Sequence, residues 1–71
     1  MYEYDYSKLR GKIAEKVGTL TSFTEKMQIS EPSLYSKINN KTEFKQSEIV
    51  KACEILEIPI DIVKEYFFCI K

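Results

Sequence analysis

The chain has 71 residues, enough for one domain around one core, and its two glycines and two prolines leave little room for long irregular loops. Eleven basic residues balance eleven acidic ones, histidine is absent, and Cys53 and Cys69 form no Cys-x-x-Cys pair, so zinc, histidine-based acid–base catalysis and a bound cofactor have no candidate ligands or groups, and neither an enzyme nor a small-molecule substrate is expected. The longest apolar run, residues 66–70, is too short to cross a bilayer, and Met1-Tyr2-Glu3-Tyr4-Asp5 has acids where a signal peptide needs bases, which points to a cytoplasmic protein with no membrane contact and free thiols.

Leu9, Ile13 and Val17 recur every four residues with Tyr6 one turn earlier, a stripe that predicts a one-faced helix over residues 6–16. Gly18 should end it. Thr19 is suited to cap a second short helix, in which Phe23 and Met27 lie one turn apart and which ends near Gln28. Ser30-Glu31-Pro32 then restarts the chain: Ser30 can cap, Glu31 faces the positive end of the helix and Pro32 is tolerated in the first turn. The third helix, over residues 31–39, has only Leu34 and Ile38 to bury, with Ser33, Tyr35, Ser36, Lys37 and Asn39 expected outside.

Asn39-Asn40-Lys41-Thr42 has the chemistry of a turn, because asparagine tolerates left-handed backbone and bonds its own main chain. Phe44 should plug into the core. A fourth helix over residues 46–56 places Ile49, Ala52, Cys53 and Leu56 on one face, and Glu57-Ile58-Pro59 breaks it. A fifth, over residues 60–67, carries Ile62, Val63, Tyr66 and Phe67, while residues 68–71 can fray, extend or dock on a partner. Tyr2, Tyr4 and Tyr6 alternate near the start and should cover the edge of the core.

Two short helices joined by a tight turn can place the second in a DNA major groove, and an ordinary helical hairpin has the same periodicity. Zero net charge argues against nucleic acid, but its distribution is uneven: between residues 8 and 45 eight cations face four acids, and from residue 46 onward three face five. Such a chain can present one positive face.

Residues 22–41, from Ser22-Phe23-Thr24 through the Ile29-Ser30 turn and Leu34 to Asn39-Asn40-Lys41, resemble the motif of the Cro/CI-type helix-turn-helix regulators of phages and mobile elements. With Glu43-Phe44, Glu48-Ile49 and Tyr66-Phe67-Phe68, the resemblance to a short phage subfamily extends over about residues 6–68. It implies an all-α, five-helix, lambda-repressor-like domain that binds double-stranded operator DNA, with the motif at about residues 19–41. Ser30, Glu31, Pro32 and Ser36 fall on positions that face the groove, with Ser33 beside them as a further base-reading position. Thr19, Thr21, Tyr35, Asn39, Asn40, Lys41 and Lys45 are the implied phosphate contacts.

Three residues depart from the pattern: Gln28 stands where the turn usually has glycine, Lys37 where an apolar residue is common, and Lys45 where a serine or threonine caps the next helix. The alternative is a protein-interaction module on the same fold, such as an antirepressor or accessory subunit, because the reading helix has no arginine. Self-association is expected through the final segment, since Tyr66, Phe67, Phe68 and Ile70 cannot all face inward when neighbours on a helix point about 100° apart. A homodimer would hide them, or Phe68 would fold back over its own core.

Overall fold

The first helix, α1 (Ser7–Lys16), buries Leu9 and Ile13, with Tyr6 buried just before it. Asp5 prepares its start: the Ser7 amide and hydroxyl both donate to the Asp5 carboxylate, at 2.9 and 2.6 Å, which holds this carboxyl below its ordinary range. Gly18 follows with a φ of 93° and donates its amide to the Ile13 carbonyl, the expected stop. The structure, a computed structural model, describes residues 3–71, so Tyr2, grouped above with Tyr4 and Tyr6, lies outside the described residues.

Four further helices complete an all-α domain: α2 (Leu20–Met27), α3 (Glu31–Ile38), α4 (Gln46–Leu56) and the single turn α5 (Lys64–Phe67). The helix expected over residues 60–67 is divided. Pro59 leads into a 3-10 turn, Ile60–Ile62, and α5 begins only after Val63. Glu57 is left-handed with φ 58°, which ends α4 and lets Ile58 fold back into the core.

Leu9, Ile13, Phe23, Leu34, Leu56 and Phe67 are the largest fully buried side chains, one or two from each of the five helices. Each is worth roughly 1.5–3 kcal/mol of transfer free energy, so the helices are held together mainly by this apolar centre. Helix α1 packs on α2, α4 and α5, and α2 on α3 and α4. Phe44 plugs the gap before α4 as expected, edge-on to Tyr6 at 5.5 Å and to Phe67 at 5.1 Å between ring centres.

The tail turns back. Ile70 forms an isolated antiparallel bridge with Tyr4, the Asp5 amide donates to the Cys69 carbonyl at 2.6 Å and the Lys71 amide to the Glu3 carbonyl at 3.0 Å. Phe67 is buried and Tyr66 half-buried, but Phe68 and Ile70 stay 49% and 53% exposed, with the Phe68 ring edge-on to Tyr4. Beside them lies an apolar groove of about 520 Å³ lined by Tyr4, Phe44, Val50, Ile60 and Phe68. No helix among the described residues is long and apolar enough to cross a membrane.

Candidate functional site

Helices α2 and α3 with residues 28–30 between them form a helix-turn-helix arrangement. Both starts are capped as expected: Thr19 accepts the Ser22 amide at 3.0 Å and Ser30 accepts the Ser33 amide at 3.2 Å. Gln28 adopts the left-handed conformation that glycine usually supplies, with φ 62° and ψ 41°, at a cost of roughly 1–2 kcal/mol for a residue with a Cβ. Its side chain is braced from α4, where Lys51 donates to the Gln28 amide oxygen at 2.9 Å.

Helix α3 is short, and its outer side carries Glu31, Pro32 and Tyr35, all exposed, with Asn39 exposed just past its end. Ser33 and Ser36 are half-buried beside them. Thr21 on α2 donates to the Glu31 carboxylate at 3.0 Å, joining the starts of the two helices across the turn. Among the expected phosphate contacts, Thr19, Thr21, Lys41 and Lys45 are exposed, and Tyr35 is 42% exposed.

Two residues behave differently from the sequence reading. Lys37, expected outside, is only 7% exposed: its ammonium lies 3.4 Å from Ser33 Oγ and 3.7 Å from a Glu48 carboxylate oxygen on α4. The periodic pattern shows Leu34 and Ile38 facing inward, and residue 37 shares that side because it stands three positions after Leu34. Its long apolar stem makes this burial tolerable and Glu48 receives the charge. Asn40 is left-handed, as its turn chemistry suggested, with φ 64°. Its carboxamide, however, accepts the Tyr4 amide at 2.7 Å and donates to the Tyr4 carbonyl at 3.0 Å. Its oxygen and one of its two N–H donors are therefore engaged within the chain, and the second N–H remains for another acceptor.

Lys45 cannot supply a cap to α4, because an ammonium accepts no hydrogen bond. Glu48 completes the other half of the usual arrangement by accepting the Lys45 amide at 2.8 Å. The link from Lys37 to Glu48 and the clamp from Asn40 to Tyr4 are long-range contacts with no periodic signature. The alternation of Tyr4 and Tyr6, two residues apart, was the one local hint of extended backbone near the start.

These features can be set beside known proteins. No curated protein sequence matches the chain. The solution structure of the modulator of repression of the temperate bacteriophage TP901-1 from Lactococcus lactis is similar, with a TM-score of 0.81 and 45% identity over 92% of this chain and 88% of that one. That relative is a phage regulatory protein. A family model described as "Protein of unknown function (DUF739)" matches residues 2–69, nearly the whole length, and the chain belongs to that family.

Proposed function

We propose that this protein modulates repression in a phage genetic switch and that its working surface is the outer side of α3, which meets another protein. The observation that carries the choice of a protein is the inward turn of Lys37. It is the only cation of α3, and with its charge directed to Glu48 the outer side offers the Glu31 carboxylate, Pro32 and the Tyr35 ring, with no free positive group. A carboxylate at the front of a helix is poorly matched to a phosphate-lined groove. It is well matched to a partner carrying positive charge, and exposed tyrosine is among the residues that most often anchor protein interfaces. Since the TP901-1 relative is called a modulator of repression, the repressor of the same phage is the partner of choice.

A second reading, binding to duplex operator DNA, has its own support in the helix-turn-helix geometry. Ser30, Glu31, Pro32, Ser33 and Ser36 would face the bases, while Thr19, Thr21, Tyr35, Asn39, Asn40, Lys41 and Lys45 would meet phosphates. Titration of the isotopically labelled protein separates the two. The protein-partner reading expects amide shifts at residues 31–39 on adding the purified phage repressor and none on adding random duplexes. Shifts on duplexes that shrink steeply between about 50 and about 200 mM salt would favour DNA instead.

A further inference from the structure

We infer that the Lys37–Glu48 ion pair is a positioning device that fixes the rotation of α3 about its own axis and so decides which side chains the outer surface presents. It deepens the proposed use of the α3 surface and rests on that reading for its functional consequence, though not for its geometry.

Helix α3 has eight residues, and its apolar contact with the core runs along just Leu34 and Ile38. They lie one turn apart, nearly on a line parallel to the axis. A line of contact resists sliding but resists rolling poorly. With the Tyr35 hydroxyl roughly 9 Å from the axis, a roll of about 20° would carry it about 3 Å, far more than a binding surface tolerates. The exposed hydrogen bond from Thr21 to Glu31 holds only the first residue of the helix, and off that line on the side of α4 it is Lys37 that stops the roll. Its ammonium is held between Ser33 of its own helix and Glu48 of α4, and the two charged side chains are 9% and 17% exposed. Glu48 is a firm anchor because the same carboxylate accepts the Lys45 amide at the start of α4.

The pair is poorly suited to raising stability. At 3.7 Å the ammonium and the carboxylate are in contact but beyond good hydrogen-bond length, and the cost of taking two charges out of water largely cancels their attraction. An apolar residue at position 37 would bury its surface without any such cost. It would also widen the apolar stripe and allow several rotations of α3 with similar energy. A charge that has one place to go selects one rotation.

The test is the double variant Lys37→Met with Glu48→Gln, since methionine keeps the volume and glutamine keeps an oxygen for the Lys45 amide. Cα–Hα residual dipolar couplings in the free protein, whose bonds point away from the helix axis, report the rotation of α3 relative to α2 and α4, and a melt reports stability. The expected result is a melting temperature unchanged or raised, with α3 couplings that no longer fit the wild-type rotation and with exchange broadening confined to residues 31–40. Couplings that fit the wild-type rotation as well as before would overturn the inference. Should the double variant fail to fold, Glu48→Gln alone decides it by the same couplings, with the same two outcomes. No partner enters these measurements, so the inference can fail while the α3 surface still binds the repressor. Equally, a repressor that ignores α3 would overturn the proposed function and leave the dipolar couplings untouched.

Discussion

Replacing Asn40 offers a quantitative test of how the two ends of the chain are held. Its carboxamide makes two partly buried hydrogen bonds to the Tyr4 main chain while its own backbone is left-handed. Each bond is worth about 1 kcal/mol net, and a residue with an ordinary Cβ pays about 1 kcal/mol more than glycine in this conformation. Asn40→Ala should therefore cost about 3 kcal/mol and Asn40→Gly about 2 kcal/mol. In a domain of this size 1 kcal/mol moves the melting temperature by about 4–8 °C, so the alanine variant should melt about 12–24 °C lower. Urea unfolding gives both values, and hydrogen exchange at the Tyr4 amide shows whether the clamp is the cause. Equal losses in the two variants would deny the backbone contribution. Losses below about 0.5 kcal/mol in both would deny the clamp itself.

Other consequences are equally open to measurement. Gln28→Gly relieves a left-handed backbone at the loss of one exposed hydrogen bond to Lys51, and should stabilise the protein by about 0.5 kcal/mol in urea unfolding; a loss of stability would mean that the brace outweighs the backbone. Cys69 is exposed and Cys53 buried, so a thiol reagent should label Cys69 at once and Cys53 only on unfolding. Burial also pushes the Cys53 thiol up; the unfolded thiol ionises first, so in a Cys69→Ser background its contribution is intact below about pH 8.5 and is lost as pH rises toward the folded value. Stability flat across that window would contradict this. Phe68→Ser removes the edge contact with Tyr4 and exposes the apolar groove. Sedimentation at micromolar concentration should show the expected dimer for the wild type and a monomer for the variant. A wild-type monomer with only a lower melting temperature in the variant would make Phe68 a cap on its own domain.

Much of the fold was legible because its signals are local. The four-residue recurrence of Leu9 and Ile13, the capping residues Thr19 and Ser30, and asparagine before a left-handed turn each act within a few residues. The candidate site was legible only in outline. Whether Lys37 points to solvent or to α4 depends on a carboxylate eleven positions away, and whether Asn40 is free depends on a main chain 36 positions away. Neither residue type reveals its partner, since a lysine stem suits both surface and core edge. The 60–67 segment divided because Pro59 and the left-handed Glu57 set the entry angle of the chain, which periodicity over so few residues does not encode. The bridge between Tyr4 and Ile70 pairs two ends whose extended pieces are too short to read as strands.

The most direct test of the central claim is calorimetric binding of the purified phage repressor to the wild type, Tyr35→Ala and Glu31→Lys, with random duplex DNA as the competing titrant. Repressor binding should weaken at least about 30-fold in each variant, the loss of about 2 kcal/mol expected of an anchoring side chain, and the wild type should bind no duplex. Repressor binding that is absent or unaffected by both substitutions, together with duplex binding that Glu31→Lys strengthens, would contradict that claim.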